Sequence, residues 1–128
     1  MELALEHISE SAGDVVPVIL AEFYRRDPGA EQVFRDFGFE QHERMAHSMV
    51  EEVLHCIFSW VDAAEEVKSV IGETVPHHRS LKIPDELLLS LLDVALEVLG
   101  SGIPAQAEQE LVLLKRVGQE LRSEILLA

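Results

Sequence analysis

Residues 71–92, IGETVPHHRSLKIPDELLLSLL, carry two adjacent histidines at the close of one helical segment and the opening of the next. Pro84 suits the first turn of a helix, where its missing N–H would have no intrahelical partner. Asp85 and Glu86 follow it, and acidic side chains there complement the positive end of the helix dipole. Upstream, His77 and His78 end the preceding segment. Neighbours on a helix point about 100° apart, so the two rings do not face the same space equally. A neutral imidazole at such a terminus is suited to binding a metal, and equally to decorating a solvated helix end.

On both sides of this stretch apolar residues recur at helical spacing, and no alternating run is long enough to argue for a strand. The expected class is all-α, in one domain covering 1–128. Breakers at Gly13, Asp27-Pro28-Gly29, Gly38, Gly72, Pro76, Pro84, Gly100-Ser101-Gly102 and Pro104 divide the chain. The expected helices run near 2–10, over 14–26, through a single turn at 29–35, then over 39–61, 63–77, 85–99 and 105–127. In the last of these, Leu111, Leu114, Val117, Leu121 and Ile125 line one face.

Asp and Glu total 24 against 10 Lys and Arg, a net charge of -14, so phosphate backbones and anionic lipid surfaces are repelled and no nucleic-acid or membrane partner is expected. The one cysteine, Cys56, sits in the apolar run LHCIFSW and reads as a small buried hydrophobe rather than a nucleophile. The opening MELALEHISE is acidic where a signal peptide would be basic, and Asp93 and Glu97 interrupt the most apolar run, so a cytoplasmic location is expected.

The 71–92 stretch resembles the proximal region of globins, closest in motif to the sensor and flavohaemoglobin groups of bacteria. In those groups the iron-binding histidine is followed by apolar residues three and five positions on and by a proline that opens the next helix. From His78 the corresponding residues are Leu81, Ile83 and Pro84. From His77, Ile83 and Pro84 fall six and seven on, which is similar to the animal-globin form. Four residues before His78 stands Thr74 and seven before stands Ile71, whereas four before His77 stands Glu73, an awkward charge against a porphyrin face. The resemblance therefore implies His78 as the axial ligand, with His77 as the alternative, and an apolar shell that includes Ile71, Leu81, Ile83 and Leu88.

The front half is similar to globins too. LAEFYRRDPGAEQVF resembles the segment in which a tyrosine faces the ligand side of the haem and a phenylalanine on the next turn packs on the porphyrin edge. By that comparison Tyr24 is a hydrogen-bond donor to a bound ligand, and Phe34, or alternatively Phe37, is the packing ring. The long helix QHERMAHSMVEEVLHCIFSW then lies over the ligand side. Met45 or Ala46 stands where animal globins have a histidine, with Met49 or Val50 one turn later; His47, the alternative that would make the iron six-coordinate, is expected to lie to one side of this helix. His42 and His47 lie five apart, one residue too many for a zinc-protease helix.

Leu88, ten residues after His78, stands where flavohaemoglobins carry a tyrosine, and no flavin or nicotinamide domain is expected in these residues. The paired glycines of truncated globins are also missing. The resemblance implies a three-over-three globin fold around one b-type haem (heme b, iron protoporphyrin IX). The implied function is reversible binding of a diatomic gas, oxygen and also carbon monoxide or nitric oxide, for sensing, storage or scavenging. No catalytic residue is expected, with nitric-oxide dioxygenase or peroxidase chemistry as side activities. The alternative is a haem-free, globin-like signalling module of stressosome type, its pocket filled by side chains or a fatty acid. Sensor globins pair through their last two helices, which implies a homodimer formed by the apolar stripe of LVLLKRVGQELRSEILLA.

Overall fold

The computed structural model describes residues 12–37, 42–104 and 106–128. They form five α-helices and no strand: α1 (Ala12–Arg26), α2 (Gly29–Phe37), α3 (His42–Ser80), α4 (Asp85–Ser101) and α5 (Glu108–Leu127). The expected all-α class holds. The helix expected near 2–10 lies outside the described residues. The single turn expected at 29–35 is a nine-residue helix, α2. The two helices expected over 39–61 and 63–77 are the two arms of α3, which meet at a kink at Ala63, whose φ of -139° and ψ of 46° are not helical, and the second arm runs on to Ser80.

Apolar residues spaced three and four apart build the core. α1 buries Val16, Ile19, Leu20 and Phe23; α4 buries Leu91, Leu92, Val94, Ala95 and Leu99; α5 buries Leu114, Val117 and Leu121. The first arm of α3 adds Ala46, Val50, Leu54, Ile57 and Trp60, and the arm beyond the bend adds Val67, Ile71 and Val75. Each large side chain taken fully from water contributes roughly 1.5–3 kcal/mol, so this cluster drives folding. α4 lies at the centre, packed against α1, α3 and α5, while α2 leans on α1 and α3. The expected stripe on the last helix faces inward, with Leu111 and Ile125 packed at its margins. No helix among the described residues is long and apolar enough to cross a membrane.

Polar ties fix the angles between helices. Arg26 pairs with Glu97, and the Ser90 hydroxyl donates to Asp27, joining α1 to α4. Arg122 donates to Asp93 at 2.8 Å across α4 and α5. Beside the bend, the Trp60 indole N–H donates to the Glu120 carboxylate at 2.6 Å, with the Lys68 ammonium 5.9 Å from the Trp60 ring centre. The indole bond holds the Glu120 carboxyl below the usual carboxylate range, and Arg116 adds to the effect.

Between the two arms of α3, α4 and α5 lies a small apolar cavity of about 70 Å³, lined in part by Val53, Cys56, Ile71, Val75, Leu92 and Ile125. Burial, reinforced by the Glu52 carboxylate, pushes the Cys56 thiol up to about 11. This folded value lies above the ~8.5 of an unfolded thiol. The stability it confers is complete below that lower value and is lost as pH rises towards 11. Alkylation at pH 8 should accordingly run on the order of 100-fold slower in the native chain than in urea, because the thiolate is the reacting form. Equal rates in the two states would contradict this placement.

Candidate functional site

A single cleft gathers residues from four of the five helices. Its volume is about 280 Å³, and its walls are Phe23 from α1; Ala30, Val33 and Phe34 from α2; Met45 and Met49 from the first arm of α3; His77 and His78 from the second arm; Leu81 and Ile83 from the connecting turn; and Leu87, Leu88 and Leu91 from α4. Every lining side chain except the two imidazoles is apolar. The bend at Ala63 is what makes this arrangement possible, since it folds one helix so that its start and its end meet the same space.

The histidine wall is built by a helix terminus. Helix α3 ends with the Leu81 and Ile83 N–H groups both donating to the His78 carbonyl, at 3.1 and 3.0 Å, and the Lys82 N–H donating to the Arg79 carbonyl at 3.0 Å. Lys82 takes a φ of 62°. A bond from Ile83 back to His78, paired with one from Lys82 to Arg79 across a left-handed residue, is the Schellman pattern of helix ends. It places Ile83 next to the turn that carries His78, and both line the cleft. Across the same turn the Arg79 guanidinium grips Asp85 at 2.9 and 3.1 Å, which holds the Asp85 carboxyl below its ordinary range.

The two rings differ in their surroundings. His77 is exposed, whereas His78 is half-buried, and the rings lie edge to face with centres 6.1 Å apart. His78 Nδ1 is 2.7 Å from the Thr74 carbonyl oxygen. A carbonyl only accepts, so Nδ1 carries the proton and donates it. In the neutral ring Nε2 is then left with the free lone pair. A carbonyl held behind the ring also fixes its rotation.

Of the residues expected from sequence, Phe34, Met45, Met49, Leu81, Ile83, Leu88 and both histidines meet in this cleft. Others lie elsewhere. Tyr24 is half-buried outside the lining, stacked on Phe23 with centres 6.0 Å apart and edge-on to Phe34 at 6.3 Å. Burial, then the Glu31 carboxylate, raises its phenol above the ordinary value. Ala46 and Val50 are fully enclosed in the core, and Ile71 lines the smaller cavity. The Phe37 side chain falls outside the described residues. His47 is exposed.

Sequence reasoning missed Phe23, Ala30, Val33, Leu87 and Leu91. The signal was present in the spacing. Ile19 and Phe23 continue one apolar stripe of α1 and leave Tyr24 on its flank, while Ala30, Val33 and Phe34 form an i, i+3, i+4 face.

Among the described residues no cluster of three His, Cys, Asp or Glu side chains could hold a metal ion. In comparisons with known proteins, no family model matches the chain, and neither does any curated protein or solved structure.

The Lys82 backbone carries a cost, because a side chain in the left-handed region loses about 1–2 kcal/mol relative to the right-handed one. Lys82→Gly should raise stability by about 1 kcal/mol, and Lys82→Val should lower it by at least as much. Urea midpoints at an unchanged denaturant slope are the measurement; the reverse order would contradict this helix end.

Proposed function

We propose that this chain is a haem-binding globin that reversibly holds a diatomic gas, with His78 as the protein's ligand to iron. The observation that carries the proposal is the His78 ring. Its Nδ1–H is committed to the Thr74 carbonyl at 2.7 Å while the ring lines an apolar cleft, so the nitrogen free to bind a metal is Nε2.

The donor set fits a porphyrin better than a bare ion. A bare divalent ion needs three or four side-chain ligands, and the described residues offer no such cluster. A macrocycle supplies the equatorial nitrogens itself and asks the protein for one axial donor and apolar walls. The chain provides an imidazole for the first, and Phe34, Met45, Met49, Leu81, Ile83 and Leu88 for the second. A porphyrin needs more than the 280 Å³ of the cleft, and the unbranched methionines are the lining side chains best able to yield room. When bound, the haem iron supplies the open coordination position at which a small gas can bind.

The chain's own residues set the conditions there. The apolar walls would surround the group, and the Schellman turn with the Arg79–Asp85 pair fixes the helix end that carries the His78 ring. Tyr24, packed against Phe34 outside the lining, acts on the shape of the wall through that ring. The same reading carries a homodimer formed through α4 and α5, which the exposure of Val112, Leu126 and Leu127 on α5 supports.

Titration of the purified chain with hemin tests the reading. It should bind one equivalent with a histidine-ligated spectrum, keep it in His77→Ala, and lose at least tenfold in affinity, about 1.4 kcal/mol, in His78→Ala. A chain that takes up no hemin, or takes up a fatty acid in its place, would leave the haem-free signalling module as the better account.

A further inference from the structure

The smaller cavity, between the two arms of α3, α4 and α5, is a different space from the histidine-lined cleft. It measures about 70 Å³, and apart from Glu52, Cys56 and Thr74 its lining is apolar. Five of the lining residues, Val53, Val70, Ile71, Val75 and Ile125, are β-branched and sit on helices. A β-branched side chain on a helix has one strongly preferred χ1 rotamer. These residues therefore do not swing across to fill the gap, and the packing of the helices leaves it standing.

Polarity and volume together select the guest. A trapped water needs two to four polar partners. Of the polar lining residues, Glu52 is exposed, the Cys56 thiol is a weak partner, and the Thr74 carbonyl is already taken by the His78 ring. That leaves the Thr74 hydroxyl as the one good partner. The same surroundings push the Cys56 thiol up to about 11, so it is uncharged at neutral pH. An apolar guest gives up no hydrogen bond here and restores dispersion contacts that the lining lacks. Its size is bounded as well. A cavity of about 150 Å³ takes benzene, so by the same proportion about 70 Å³ takes roughly three heavy atoms.

We propose that this inner cavity is a binding site for one small apolar molecule of up to about three heavy atoms, the class that includes dissolved diatomic gases and the larger noble gases. The proposal does not rest on the haem reading, since the site needs no iron and is complete in the chain itself. Met49 and Leu88 line both the inner cavity and the cleft. The partition between the two spaces thus includes an unbranched, flexible side chain, which joins the inner site to the cleft.

Xenon titration of the hemin-free chain, followed by NMR of the isoleucine δ1 methyls, tests this. Ile71 and Ile125 line the inner cavity and not the cleft, Ile83 lines the cleft and not the inner cavity, and Ile19 lines neither. The Ile71 and Ile125 methyls should shift saturably with xenon, and Ile19 should not move. Cys56→Leu, which puts extra carbon into the inner cavity, should abolish those two shifts and leave the Ile83 response as in the wild type. Benzene should leave Ile71 and Ile125 in place. A wild-type chain in which xenon produces no saturable shift at Ile71 and Ile125 overturns the proposal, and that titration alone decides it, whatever the folding of the variant. Shifts that persist in a folded Cys56→Leu chain overturn the assignment to this cavity, and benzene shifts as large as those from xenon overturn the size class. Hemin uptake, measured separately, bears on the cleft and leaves each of these outcomes unchanged.

Discussion

The hydrogen bond from His78 Nδ1 to the Thr74 carbonyl is the constraint on which the site depends. It decides a proton's position. With Nδ1 as the donor, the lone pair of a neutral ring sits on Nε2, and the ring cannot turn over without leaving a half-buried N–H unmatched. The backbone around it is equally determined, because the His78 carbonyl accepts from both Leu81 and Ile83 at the helix end. One residue is thus held through its ring and its carbonyl, and a neighbour, Lys82, accepts a left-handed backbone to allow it. Such local strain persists where the surrounding structure over-determines it.

A second constraint is the bend of α3. A straight run of 39 residues would stretch about 58 Å at 1.5 Å per residue, and Met45 and His78 could never share a cavity. With the bend at Ala63 they do. Trp60 on one side of it donates to Glu120 of α5, and Lys68 on the other side lies over the Trp60 ring, so contacts of tertiary structure hold the angle. The cleft that results is apolar except for its imidazoles.

The helices were legible because their apolar residues repeat at 3.6 and their ends carry Pro84, Asp85 and the Gly100–Gly102 turn. Most of the histidine wall was legible for the same reason: Leu81 and Ile83 follow His78 at fixed spacing, and the helix end that positions them is local. The opposite wall was read less well. Which of Met45 or Ala46, and Met49 or Val50, faces the cleft depends on the rotation of a long helix, a one-residue difference that only packing against α1 and α4 decides. Tyr24 lies beside the lining for the same reason, since Phe23 takes the inward position one residue earlier. The break between the two arms of α3 was legible in its position, since the helices expected over 39–61 and 63–77 part beside Ala63, although Asp62-Ala63-Ala64 contains no proline or glycine to force it. The Lys82 backbone was silent, lysine being an unusual residue for positive φ.

The central claim is a statement about one proton on one ring, and nitrogen NMR of the histidine side chains in the hemin-free chain at alkaline pH observes it directly. The account predicts that His78 is neutral and protonated at Nδ1, with the spectral pattern of a bare, unprotonated Nε2. A His78 ring protonated at Nε2, or averaging rapidly between the two forms as a solvated imidazole does, would contradict it.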